Sequence, residues 1–289
     1  MRINSSLILL TLTTLINAQD IPKKVAIEIC NCVDTIVNMD SLEARVNRCA
    51  PDAFDAVLET LSDEAQEVYS ADDAVDETMN KAMESLLSVC PKIRNFILSE
   101  RKNEFYRLSS SEEANRYYED GSKLFDQEDY KSALKDFSKA FKKDPSFIYA
   151  IDNIALTYRK LGNNKKAIKF YNKSLEIYPE GSFALQNIAL AYSVSNDLKS
   201  AIVCYQKLTF FYPDNPEGYF GIAKIYTMAG EYEEALDYVF AAHKIYSINK
   251  SDYLKDSENL ISIIYNKLKE SNKLDLFDQK AKEYGININ

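Results

Sequence analysis

Alanines recur at a fixed interval of 34 residues: Ala133, Ala167, Ala201 and Ala235. Gly121, Ala155, Ala189 and Ala223 keep the same interval, and so do Pro145, Pro179 and Pro213. Large apolar residues recur in step, first as Tyr117, Ile151, Leu185 and Tyr219, then as Leu124, Tyr158, Tyr192 and Tyr226, then as Phe137, Tyr171, Tyr205 and Val239. A period held over four units is the mark of a stacked repeat array rather than of one amphipathic helix. Each unit of such an array is one supersecondary element, unable to bury its apolar face except against its neighbours.

That element reads as helix, turn, helix. In Ile148–Gly181 the first helix carries Ile151, Ile154, Ala155 and Tyr158 on one face, and Gly162 supplies the left-handed backbone that ends it. Asn196 and Gly230 hold the same place in their units, and asparagine is the next best residue for that conformation. The second helix carries Ala167, Phe170, Tyr171 and Leu175, and Pro179 stops it because proline has no N–H to continue the ladder. Alanine or glycine at fixed places lets two helices cross closely. The 289 residues hold only 7 glycines and 7 prolines, too few for the frequent turns of a sandwich or barrel.

This pattern of large, small, aromatic, alanine, aromatic and proline positions resembles the tetratricopeptide repeat. Four units fit it: Ala114–Phe147, Ile148–Gly181, Ser182–Asn215 and Pro216–Asn249. The first departs with Asp120 where leucine is usual, the fourth with Ser247 where proline is usual, and no tryptophan occurs. Residues 250–289 read as a divergent capping helix pair. The fold expected is all-α: a right-handed α-solenoid of the tetratricopeptide type after a small disulfide-braced helical domain. The resemblance implies a concave face on the first helices that binds an extended peptide or a helix. Mapped onto this chain, that face takes Tyr118 and Phe125 in the first unit, then Tyr149, Asp152, Asn153, Leu156, Arg159 and Lys160 in the second. It continues with Phe183, Gln186, Asn187 and Leu190 in the third and Phe220, Lys224 and Met228 in the fourth. Asn153 and Asn187 are in register, and a primary amide offers donor and acceptor together to a peptide backbone. Tyr149 and Phe183 are also in register and offer large aromatic contact area. Packing between neighbouring first helices competes as an explanation of Phe183 and Leu190. For Arg159 and Lys160 the competing explanation is a solvated helix end. The resemblance does not extend to the basic pattern of members that clamp acidic chaperone tails, since Tyr118 and Ser122 stand at those places.

Composition changes near residue 100. Residues 19–100 hold 17 acidic and 7 basic side chains, residues 101–289 hold 27 of each, and 19 of the 20 tyrosines follow residue 100. Cys30, Cys32, Cys49 and Cys90 all precede that point. We therefore expect an acidic helical domain over 19–100, a linker or helix start over 101–113, and Ser109–Glu113 as a capped helix start. Pro22 suits a first helical turn. Two apolar stripes follow it: Val25, Ile29, Cys32 and Ile36, beside Ala26, Cys30, Val33 and Val37. Cys30 and Cys32 point apart on a helix, so each is expected to pair with a cysteine elsewhere, either Cys49 or Cys90. Both cross-helix connectivities remain open. A four-thiolate zinc site is disfavoured by the lack of paired C-x₂₋₄-C knuckles.

Met1–Ala18 reads as a signal peptide. Arg2 is the basic start, Leu7–Ile16 the apolar run and Ala18 the small residue before a cut. Its run is too short to span a bilayer and no later run is long enough. The expected location is secreted or periplasmic, where disulfides persist. A net charge of −9 argues against nucleic acid or an anionic membrane as partner. A single histidine, His243, removes any two-histidine chemistry, and it reads as a helix-end residue. Cys204 reads as a free buried thiol. No nucleophile motif, phosphate loop, metal set or cofactor motif appears. The expected function is an exported, non-enzymatic scaffold for a protein or peptide. The alternative is a structural or assembly subunit of a cell-envelope complex.

Overall fold

A computed structural model describes residues 21–286, so the expected signal peptide, Met1–Ala18, lies outside the described residues. Among the described residues there are fifteen helices and no strand. The chain divides between Glu100 and Arg101 into two compact units.

The first unit holds α1 (Ile21–Cys32), α2 (Met39–Leu58), α3 (Asp63–Tyr69), α4 (Asp72–Val89) and most of α5 (Pro91–Phe105). Val25, Ala26 and Ile29 of α1 are fully buried, and α2 and α4 lie on either side of them with Ala53, Val57, Ala82 and Leu86. The apolar stripes of α1 continue in sequence to Ile36 and Val37, but the helix stops at Cys32 and Val37 is exposed. Two forces end it. Val33, Thr35, Ile36 and Val37 are all β-branched and favour extended backbone. Asn38 then starts α2 with a reciprocal cap: its Oδ1 accepts from Ser41 N at 2.8 Å, and Ser41 Oγ accepts from Asn38 N at 3.0 Å. The pairing left open by the sequence resolves as Cys30–Cys90 and Cys32–Cys49, with Cα separations of 5.4 and 5.8 Å. These two links tie α1 to the end of α4 and to α2.

The second unit stacks five helix pairs in chain order. They are α6 (Glu112–Asp126) with α7 (Tyr130–Lys143), α8 (Ile148–Lys160) with α9 (Asn164–Ile177), α10 (Ser182–Val194) with α11 (Leu198–Phe211), α12 (Pro216–Ala229) with α13 (Tyr232–Ile248), and α14 (Leu254–Glu270) with α15 (Leu274–Tyr284). The turn inside each of the first four pairs repeats in detail. Glu128, Gly162, Asn196 and Gly230 all take positive φ, at 61°, 75°, 61° and 80°. The following residue caps the second helix in three of them: Asp129, Asn163 and Asp197 accept from the backbone N of Ser132, Lys166 and Ser200 at 3.1–3.2 Å. The second helices of the first three units end two residues before Pro145, Pro179 and Pro213. Where Ser247 replaces that proline, α13 runs on to Ile248 and reaches 17 residues against 14 for α11.

The small positions sit where helices cross. Ala155, Ala189 and Ala223 are fully buried, and a Cβ on Gly121 would stand 2.8 Å from Phe137 Cδ1. A second register runs through Tyr178, Tyr212 and Tyr246. The Tyr178 and Tyr212 hydroxyls lie 3.4 Å apart, the Tyr212 hydroxyl donates to the Glu180 carbonyl at 2.8 Å, and the Tyr246 hydroxyl donates to the Glu217 carboxylate at 2.7 Å. The first two bonds join the ends of neighbouring units and the third reaches its own unit's first turn, satisfying hydroxyls that the stack removes from water.

Candidate functional site

The first helices α6, α8, α10 and α12 repeat at 34-residue spacing, so side chains in register line up along one face. The structure splits that face into two stretches, one filled and one open.

The stretch on α6 and the first half of α8 is filled by the chain itself. Tyr118, Tyr149 and Asn153 are half-buried and come together. The Tyr118 and Tyr149 rings are 5.8 Å apart. Between this cluster and the tyrosine register stands Tyr106, whose ring meets Tyr149 at 5.2 Å and Tyr178 at 5.7 Å, edge to face. Its hydroxyl donates to Asp152 Oδ2. Phe105 stacks on Tyr178 at 5.3 Å, and Arg101 Nε reaches Glu180 Oε1 at 3.1 Å. Further on, the Ser109 hydroxyl meets Asp144 Oδ2 at 2.5 Å, and Ser111 caps α6 through Ala114 N. Residues 101–111 therefore form a strap packed on the second unit, not a free connection. The adjacent aromatics Phe105 and Tyr106 were the signal: two large rings side by side seldom stay in water.

Asp152 was expected on the ligand face and instead is buried under this strap. Burial raises its carboxyl to about 6, against the opposing pull of the Ser174 and Tyr106 hydroxyls. Burial likewise raises the Tyr106 phenol. Asp152 Oδ1, Ser174 Oγ, Tyr171 Oη and Arg159 Nε are all buried and lack a hydrogen bond of sound geometry. These groups form a polar seam inside the stack rather than a surface for a ligand.

The stretch on α10 and α12 is open. Phe183 and Leu190 are each 38% exposed, Val194 is 66% exposed and Met228 is 74% exposed. Phe183, Asn187, Leu190 and Val194 follow at helical spacing, so they form one stripe along α10. Leu156 on α8 is half-buried at the register of Leu190. Phe220 on α12 is half-buried, 5.9 Å from the Tyr246 ring, with the Lys224 ammonium 5.6 Å over its face. Both asparagines do the same thing: Asn153 Nδ2 donates to the Tyr149 carbonyl at 2.8 Å, and Asn187 Nδ2 to the Phe183 carbonyl at 2.9 Å. Asn153 is also held by the Tyr118 side chain, whereas Asn187 keeps one N–H and its Oδ1 for another partner. The register does not continue to a third asparagine, because a side chain at Gly221 would overlap the Tyr205 ring.

Cys204 on α11 is free and partly buried, and burial pushes its thiol up to about 11, which keeps it protonated and unreactive near neutral pH. His243 Nδ1 lies 3.0 Å from Ser257 Oγ, joining α13 to α14, and burial lowers its pKa. Among the described residues no group of three or more His, Cys, Asp and Glu side chains is placed to hold a metal ion. No helix among them is long and apolar enough to cross a membrane.

Residues 123–255 match the family profile described as the Psidin N-terminal TPR repeats region. Among solved structures, a tetratricopeptide repeat protein from Parabacteroides merdae ATCC 43184 aligns over 60% of this chain and 67% of its own, with TM-score 0.50 and 18% identity. A MamA fragment from Desulfovibrio magneticus RS-1 aligns over 61% of this chain and 95% of its own, with TM-score 0.50 and 11% identity. At such identities the likeness is one of fold. No curated protein matches the sequence.

Proposed function

We propose, for a chain that is a tetratricopeptide-repeat protein, that it works as an exported, non-enzymatic scaffold. Its ligand is a peptide or protein segment lying on the first-helix face from Leu156 to Met228. The observation that carries this reading is the open stripe on α10. Scattered exposed apolar residues are ordinary. Here Phe183, Leu190 and Val194 follow one another along a single helix face, and Asn187 between them keeps an unspent acceptor. An apolar strip with a backbone-reading amide suits an extended chain. The paired cysteines support the export part of the reading, since such pairs persist outside reducing compartments.

A test is to pan random 12-residue peptides against the full chain and measure the winners on variants. Phe183→Ala with Leu190→Ala should weaken them at least ~10-fold, in line with loss of two buried anchors. Asn187→Ala should weaken them several-fold, while the helix content of every variant stays unchanged. Winners that bind the double variant as well as the parent would remove the face as the site.

A second reading has its own observation. Val203 and Phe210, two turns apart on α11, are also exposed. A permanent neighbour covering them would make the chain an assembly subunit, and it would then purify as a stable large complex.

A further inference from the structure

The first unit has a surface that the repeat face does not explain. α2 and α4 each pack on α1, while their backbones stay apart from each other. The slot left between them is a groove of about 530 Å³. Pro51, Phe54 and Leu58 line one wall, at successive helical turns of α2. Val75, Met79 and Met83 line the other, also at successive turns, of α4. The short helix α3 does not fill the slot; of its neighbourhood only Ser70 reaches the wall. Pro51 is a proline inside a helix, so the Asn47 carbonyl one turn earlier loses its usual donor.

The rim is acidic. Asp55 lines the groove, and helical spacing puts Glu59, the C-cap of α2, beside it and Asp72 and Asp76 beside Val75 and Met79 on α4. All four are exposed, and Arg48 is the opposing charge on this rim. Among the described residues none of Asp55, Glu59, Asp72 and Asp76 is in an ion pair that would spend its charge; the pairs nearby are Arg45 with Asp34 and Lys81 with Glu77. Methionines give the floor a flexible, polarizable surface suited to binding apolar side chains of varied shape.

We propose that this groove docks a basic amphipathic helix. Three features choose that occupant. The walls are two helices set apart, so a third helix completes the packing that α1 makes from the other side. The lining runs for about 16 Å along α2 and about 12 Å along α4 at the helical rise, which seats two to three turns. The exposed carboxylates at the rim match Lys or Arg flanking the apolar stripe of the partner. The docking helix is a separate partner and does not depend on what binds the repeat face.

The test uses the full chain with [methyl-13C]methionine and a synthetic 14-residue Leu/Lys amphipathic helix at 150 mM salt. The methyl signals of Met79 and Met83 should shift saturably, while those of Met39 and Met228 stay in place. Met228 stands on the open repeat face, so a failure here is distinct from a failure there. A peptide with Glu in place of Lys should cause no shift. Asp72→Asn with Asp76→Asn should weaken binding at least 5-fold, and Asp63→Asn with Glu64→Gln, the same charge removed from α3, by less than 2-fold. Equal losses from the two pairs, or shifts at Met39 and Met228 as large as those at Met79 and Met83, would overturn the proposal. So would Met79 and Met83 signals that move with protein concentration alone, which assigns the groove to a second copy, or with removal of residues 1–18, which assigns it to the leader.

Discussion

The two units solve the same problem, burying helices, by different means. Residues 21–100 close one irregular core around α1 and bind it with two cystines whose sequence separations are 60 and 17 residues. Residues 101–286 make one contact pattern repeatedly, and the cysteine there, Cys204, is free. A domain of about 80 residues buries too small a share of its surface to be secure on packing alone, whereas each repeat borrows stability from its neighbours. The difference teaches where to expect tolerance. A defect in the first unit falls on a single core, while a defect in the array is shared across interfaces.

Removing the covalent ties should separate the units most sharply. Cys30→Ser with Cys90→Ser should cost the first unit about 4 kcal/mol, and Cys32→Ser with Cys49→Ser about 3 kcal/mol, the longer loop being the more restrictive closure. Differential scanning calorimetry should show one transition falling and the array's transition unmoved. A parallel fall of both would erase the distinction between them.

The next effect lies inside the array. The folded state holds the Asp152 carboxyl at about 6, above its ordinary 3.8, so it favours the protonated form. Its contribution is then complete below about pH 4 and is lost as pH rises through 6. Asp152→Asn should stabilise the array by about 1–3 kcal/mol at pH 7.5 and leave it unchanged at pH 4. Urea titrations at the two pH values check this; equal effects at both would mean that Asp152 is already ionised and compensated. The smallest effect concerns the repeated turn. Glu128 holds a left-handed conformation that glycine holds in two other units, so Glu128→Gly should gain about 0.5–1 kcal/mol. A loss instead would show that the Glu128 side chain contributes more than its backbone costs.

The array was readable from sequence because its physics is periodic. Alanine at a crossing, an αL residue at a turn and proline after a helix each recur at one spacing, and each recurrence confirms the others. Even so, Glu128 escaped the turn pattern, since nothing about glutamate announces positive φ. The pattern of first-helix residues placed Tyr149, Asn153, Phe183 and Asn187 on one face, but it could not show that Tyr106 comes back to cover Asp152. That contact joins residues 46 positions apart and has no period. Likewise Gly221 breaks the asparagine register because of one ring, Tyr205, on another helix. In the first unit the cysteines alone carried the long-range information. They required ties from α1 to two other segments, and only the folded arrangement of α2 and α4 chose Cys49 for Cys32 and Cys90 for Cys30. The early end of α1 had a local cause, the β-branched run before Asn38, that the apolar stripe concealed.

The open stripe on α10 is proposed to hold another chain. The direct measurement is photocrosslinking in extract of the source cells, with p-benzoylphenylalanine placed at Leu190 in one variant and at Val203, on α11, in another. Position 190 should give a discrete crosslinked product that a selected peptide suppresses, and position 203 none that this peptide suppresses. Crosslinking at 203 alone, or at 190 with no response to the peptide, would contradict that proposal.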